Sequence, residues 1–263
     1  MDNAGIKPEV PVIEMTGVSV GSRANPHLPF LENVNWSVRP GEYCVIGGLH
    51  GSGKTDFLSV IAGLTPPLQG SYRLFGQEMP VQGDKFLAER LRIGLVFDGG
   101  QLFHRLTIEE NIALPLRYHR NMARADLDQS VNTMLELTGL SPQAGRLPGQ
   151  AGRAWQKRAG LARALVLQPE VLLLDNPLGG LDSHHVQWWL GTLDQLSSGS
   201  RFFEGRPMTL VITAEDLRPW RNRPASFAIL KKRQFCPLGH HPRLGRLTDP
   251  LVKELLAEPL GAE

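Results

Sequence analysis

Gly48-Leu49-His50-Gly51-Ser52-Gly53-Lys54-Thr55 has the spacing G-x-x-x-x-G-K-[ST] of a phosphate cradle. The physics behind that spacing is specific. Glycines let successive backbone N–H groups curl around phosphate oxygens, and the N-terminus of the following helix adds the positive end of its dipole. Lys54 is expected to reach the β- and γ-phosphates, and Thr55 to hold Mg²⁺ through its hydroxyl. The pattern also sits where it must. Tyr43 to Ile46 is a short apolar run that reads as a strand. After the loop, Phe57, Leu58, Ile61 and Leu64 fall at helical spacing, and Pro66-Pro67 stops the helix. A glycine-rich turn with an incidental lysine is the plainer reading, and the strand–loop–helix context outweighs it.

Working outward, Val171-Leu172-Leu173-Leu174-Asp175 is a fully apolar run ending in a carboxylate. Such runs form strands buried on both faces of a parallel sheet. A carboxylate at the end of one is well placed to hold Mg²⁺ beside the cradle. Alone, Asp175 reads as a turn cap; with Lys54 and Thr55 it reads as a metal ligand. Further strands are expected over Val10–Val20, Leu31–Val38, Ser71–Phe75, Ile93–Phe97, Leu210–Thr213 and Phe227–Leu230. Leu106 to about Val166 reads as helical, broken between Gly139 and Gly152. Asp249-Pro250 caps a last helix.

The 263 residues suffice for one large α/β domain, and 28 Lys+Arg against 26 Asp+Glu give no charge argument for nucleic acid. From Leu217 to Thr248 there is no acidic residue, while Arg218, Arg221, Arg223, Lys231, Lys232, Arg233, Arg243 and Arg246 are basic. A solvated face is the expected reading; a surface for a partner or anionic lipid is the sharper one. Cys44 and Cys236 are the two cysteines, which fits a reducing compartment. Cys236 with His240 and His241 makes a weak metal set. Met1 to Gly5 shows no basic region before an apolar stretch, so no signal peptide is expected. No run reaches the roughly 20 apolar residues of a membrane span.

With both motifs in view, the sequence resembles an ABC-transporter ATPase over nearly its whole length. Asn176-Pro177-Leu178-Gly179-Gly180-Leu181-Asp182 resembles the family's D-loop stretch, and Arg158 to Leu165 the helix after its signature motif. Ile61-Ala62-Gly63-Leu64 and Gly70 fit the segment after the cradle. Gln101 to Thr107, Asn111 to Arg117 and the tail Asp249 to Leu256 look most like the Mla/Mce-type lipid-transport ATPases. The resemblance implies an ABC-type fold with a mainly parallel core sheet, an antiparallel β subdomain and a helical subdomain. The core is expected over about 10–97 and 166–235, the helical subdomain over 98–165 and a tail over 236–263. It also implies ATP and Mg²⁺ as ligands, a second nucleotide-binding subunit, and a membrane permease seated in a groove near the helical subdomain. Nucleic acid is not expected. Such a subunit works on the cytosolic face of the inner membrane. Gly48, His50, Gly51, Ser52, Gly53, Lys54, Thr55 and Asp56 are the expected cradle residues, and Thr55, Asp175 and Asp98 the metal ligands.

The departures from the family pattern fall on the chemistry. Asn176 stands where a glutamate polarises water, and an amide cannot accept a proton as a carboxylate does. Ala214, within Thr213-Ala214-Glu215-Asp216-Leu217, takes the place of the switch histidine that contacts the γ-phosphate. Asp98 replaces the glutamine that senses Mg²⁺, with Gln101 close by. The signature becomes Ala151-Gly152-Arg153-Ala154-Trp155, so Gly152, Arg153 and Ala154 are its candidates for contact in trans. A second register would use Leu147-Pro148-Gly149-Gln150. Asp56 stands where a hydroxyl usually meets the α-phosphate, and no aromatic occupies the base-stacking position near Val18 to Gly21. Each lost transition-state contact costs about a hundredfold in rate. The expectation is ATP binding with weak or absent hydrolysis. The alternative is a working motor with Asp98, Glu215 or a partner residue as base.

Overall fold

A computed structural model describes residues 10–22, 28–79, 86–200, 203–240 and 247–257. Two sheets and a helical layer make up the molecule. The first sheet is antiparallel, ordered β2-β1-β4-β5, from β1 (Ile13–Gly21), β2 (Pro29–Val38), β4 (Gln69–Leu74) and β5 (Gln77–Glu78). The second sheet runs β10-β9-β3-β8-β7-β6. Its strands are β3 (Tyr43–Gly47), β6 (Ile93–Val96), β7 (Val171–Asp175), β8 (Thr209–Ala214), β9 (Ser226–Lys231) and β10 (Gln234–His240). Every pairing in it is parallel except β9 with β10.

The side-chain period of two explains why the inner strands are apolar throughout. On β7, Leu172 and Leu174 face one core cluster while Val171 and Leu173 face the other. One cluster holds α6 (Ser183–Ser198) and the helical layer. The other holds α1 (Lys54–Ile61) and the antiparallel sheet. Trp36, Phe57 and Phe235 stack as a triad with centroids 5.3 to 5.8 Å apart, tying β2, α1 and β10 together.

The helical layer is α3 (Ile108–His119), α4 (Arg124–Thr138) and α5 (Arg153–Leu165), which pack on one another. A four-residue helix, α2 (Leu87–Arg90), precedes β6. Thr107 and Glu110 form a capping box at the start of α3, with bonds of 3.2 and 2.8 Å. Asn111, fully buried, donates to three loop carbonyls and accepts from the Phe103 amide, so it fixes the turn over 103–107. Helix α5 crosses the loop after β6 at very close range. A Cβ on Gly160 would lie 2.7 Å from the Gly100 Cα, and Arg163 donates to the carbonyls of Gly100 and Gln101 at 2.8 and 3.0 Å. In an exposed helix, alanine would be about 1 kcal/mol better than glycine. At Gly160 the sign should reverse. Gly160→Ala is expected to lower the unfolding free energy by about 1–3 kcal/mol in urea titration; a stabilised variant would show that the loop yields freely.

Two sequence expectations are refined here. Strand β10 carries the sheet to His240, and α7 (Pro250–Leu256) buries Leu251, Val252 and Leu255 in the core. The segment expected as a tail beyond 235 thus contributes an edge strand and one helix packed on the core. Four of the eight basic residues singled out over 217–248 are held in ion pairs. Arg218 pairs with Asp216, Arg223 with Asp194, Lys231 with Asp249 and Arg233 with Glu32, at 2.6 to 3.0 Å. Of these, the Lys231 pair ties the end of β9 to the cap of the last helix, and the Arg233 pair ties the turn before β10 to β2. His241, Arg243 and Arg246 lie outside the described residues.

Candidate nucleotide-binding site

The cradle leaves the C-terminal end of β3 and enters α1, at the edge where β7, β8 and β9 also end. Gly51 and Gly53 have φ of 73° and 84°, conformations that side chains resist. Space around Gly51 is open, whereas the Phe30 ring of β2 lies directly over Gly53, where no Cβ fits. Phe30 is thus an aromatic at the cradle that the sequence reading missed; it lies 23 residues from Gly53, and no local signal marks it.

Lys54 is 5% exposed and spends all three ammonium protons inside the chain. It donates to Gly48 O at 2.8 Å, Leu49 O at 2.7 Å and Glu215 Oε1 at 3.3 Å. Burial lowers its pKa, and the Glu215 carboxylate opposes that shift. Thr55 Oγ1 donates to Asp175 Oδ2 at 2.6 Å, and Thr213 Oγ1 donates to Asp175 Oδ1 at 2.8 Å. The Ser52 hydroxyl is buried without a hydrogen-bond partner among the described residues. Glycines that admit a close ligand, an unsatisfied hydroxyl, and a hydroxyl–carboxylate pair of oxygen donors fit a nucleotide phosphate with a hard divalent cation. Lys54, Ser52 and the loop amides would hold the phosphates, and Thr55 with Asp175 the metal. Asp56 is half-buried in the first turn of α1, where its charge suits the helix dipole.

A second charged centre lies behind the first. Lys157 of α5 is 1% exposed. Its ammonium donates to the carbonyls of Asn176, Pro177 and Gly179 at 2.9, 3.3 and 2.8 Å, and pairs with Asp98 at 2.8 Å. Arg153 grips the same Asp98 carboxylate at 3.1 and 3.2 Å. Asp98, expected as a metal ligand, is therefore held by two cations of its own chain. Arg153, the candidate for contact in trans, bonds Asp98 within its own chain. Asn176 has φ 45° and donates its N–H to Thr213, while its side-chain amide folds over Gly179, where a Cβ would come within 2.3 Å of Nδ2.

At the switch position, Ala214 offers the cradle no polar group. Ala214 is the last residue of β8, and its methyl is buried in the core at 3% exposure. The residue that faces the cradle is Glu215, one place on, 3.3 Å from both Lys54 Nζ and His50 Nδ1.

Helix α5 starts at Arg153 with Gly152 as its cap and no side-chain cap, which leaves the amides at Arg153 and Ala154 at an open helix N-terminus. Pro148–Gln150 is a separate 3-10 turn. Trp155 is no free anchor: Arg158 lies over its ring at 4.7 Å and over that of Trp188 at 3.7 Å. Arg158 also donates to His185 Nδ1 at 2.9 Å, and burial lowers its pKa to about 10. Asp182, His184 and His185 bring their ligand atoms within 4.8 Å of one another, but the Arg158 cation already takes His185, and Asp182 caps α6.

The sequence profile of the ABC transporter family matches residues 31–179, which include the cradle, α5 and the β7 carboxylate. The chain belongs to the ABC transporter family. This ABC cassette is 30% identical over 226 residues to the probable ribonucleotide transport ATP-binding protein mkl of Mycobacterium leprae, covering 86% of this chain and 63% of that one. It is 37% identical over 166 residues to the sulfate/thiosulfate import ATP-binding protein CysA of Mycolicibacterium paratuberculosis, covering 62% and 44%. The cassette thus spans less than two thirds of the length of these relatives. Among solved structures, the dimeric bacterial ABC transporter cassette MJ0796 superposes with a TM-score of 0.74 at 28% identity, over 84% of this chain and 95% of that one. CbiO1 of Clostridium perfringens, part of the transporter complex cbiONQ, shares the fold with a TM-score of 0.77 at 19% identity. No helix among the described residues of the cassette is long and apolar enough to cross a membrane.

Proposed function

We propose that this chain is the ATP-binding subunit of a membrane transporter, one that binds Mg-ATP at a dimer interface with weak or absent hydrolysis. The observation that carries the reading is the contrast within one site. Lys54, Thr55 and Asp175 are complete and hydrogen-bonded, while the next residue is Asn176, whose amide is turned onto Gly179. The two carboxylates named as substitute bases are engaged. Asp98 is held by Arg153 and Lys157, and Glu215 contacts Lys54. A working motor would need one of them released.

The partners follow from the same reading. A second cassette, of like or unlike sequence, meets the open N-terminus of α5. A permease helix sits in the cleft lined by Leu95, Phe97, Phe103, Leu114, Tyr118 and Leu167, where Phe103 and Tyr118 are 57% and 83% exposed. The complex places this chain on the cytosolic face of the membrane. Lipid is the cargo we favour, on the likeness of residues 101–117 and 249–256 to the Mla/Mce-type ATPases.

Mg-ATP binding and phosphate release are to be measured together on the unsubstituted chain, Lys54→Ala and Asn176→Glu. The expected result is binding that depends on Lys54, with phosphate release no faster than in Lys54→Ala. Asn176→Glu should raise release by about tenfold or less, because the switch and signature positions remain altered. Lys54-dependent release in the unsubstituted chain would identify a working motor.

A further inference from the structure

The Glu215 carboxylate lies against Lys54, the residue expected to hold a nucleotide's terminal phosphates. Its place is set by backbone rather than by a flexible stem alone. Ala214 O accepts the Gly48 N–H at 3.1 Å, which joins the end of β8 to the start of the cradle. Glu215 is the next residue. Its Oε1 lies 3.3 Å from Lys54 Nζ and 3.3 Å from His50 Nδ1, so one oxygen faces two basic groups of the phosphate loop. Asp216 turns away to pair with Arg218 at 2.6 Å. Asp98 is paired with Arg153 and Lys157. Asp175 is a strand-end carboxylate satisfied by two threonine hydroxyls and suited to a metal.

A cradle lysine holds the β- and γ-phosphates together. A γ-phosphate entering here meets a carboxylate already on that lysine, and the like charges repel at a few ångströms. A diphosphate uses the inner part of the cradle, formed by the loop amides, Ser52, Lys54 and Thr55, and brings no group to the Glu215 position. We infer that Glu215 acts as a resident substitute for the terminal phosphate and biases this site toward nucleoside diphosphates over triphosphates. The inference deepens the proposed nucleotide-binding function and rests on it. The group that discriminates is a side chain of this chain, not the signature of a partner.

The test is calorimetric binding of ADP and of the non-hydrolysable AMP-PNP, both with Mg²⁺, to the full chain and to Glu215→Gln and Glu215→Ala. The Glu215 side chain is 39% exposed and the glutamine change is isosteric; thermal melts check that both variants fold. The full chain is expected to bind ADP about tenfold more tightly than AMP-PNP, since tenfold corresponds to about 1.4 kcal/mol and a half-exposed pair of like charges is worth that much. In both variants the ratio should fall toward one, mainly by tighter AMP-PNP binding. A full chain that prefers AMP-PNP, or a ratio unchanged by both substitutions, overturns the inference and leaves the nucleotide-binding function standing. Absence of binding by either nucleotide in all three proteins overturns that function itself, and this inference with it.

Discussion

Lys157→Ala is expected to lower the unfolding free energy by about 3 kcal/mol, measured by denaturant titration at neutral pH. The side chain is buried, and its loss orphans the carbonyls of Asn176, Pro177 and Gly179 at once. Asp98 keeps only Arg153, on its more exposed side. Removing one partner of a buried charged pair is costlier than never having built the pair, because the remaining polar groups stay desolvated. Half-exposure of Asp98 moderates the loss, which is why the figure is not larger. The pH dependence has a definite sign. Burial lowers the Lys157 pKa despite the Asp98 bond, so the unfolded chain holds this proton more tightly than the folded one. Stability contributed by Lys157 therefore grows as pH rises toward the free-lysine value of about 10.4, and the gap between wild type and variant should widen over that window. A loss below about 1 kcal/mol, constant with pH, would mean that water already reaches these carbonyls.

The second large effect is on binding. Lys54→Ala is expected to weaken Mg-ADP and Mg-ATP binding by about a hundredfold, since truncating one partner of a buried, hydrogen-bonded charge contact costs about 2–5 kcal/mol. The fold should survive, because Leu49 and Glu215 are exposed enough for water to replace the ammonium there and only the Gly48 carbonyl is orphaned in a buried place. A melting midpoint lowered by only about 2–4 °C with lost binding is thus the expected pair of results in titration calorimetry and thermal melting. Equal affinity in the two proteins would show that the loop amides hold the phosphates alone.

The two lysines also show how differently two residues of one type are readable. Lys54 announces itself, because its spacing from Gly48 and Gly53 is a local pattern with one chemical purpose. Lys157 looks like any cation on an amphipathic helix. Its partners lie 19 to 22 residues ahead and 59 residues behind, and nothing near it in sequence names them.

By itself the sequence determined whatever depends on short-range periodicity. That covers the cradle with its strand and helix, the apolar β7 ending in Asp175 and the capped helix at Asp249. The amide at Asn176 and the altered signature were equally legible, since each is a substitution within a recognisable run. Tertiary structure alone decided which groups face one another. It turned Ala214 into the core and Glu215 toward Lys54. It brought Arg153 and Lys157 onto Asp98, laid Phe30 over Gly53, and paired Arg223, Lys231 and Arg233 with acids distant in sequence. The physical reason is common to all of these. Backbone conformation is set by neighbours in the chain, whereas charge and close contact are settled by neighbours in space.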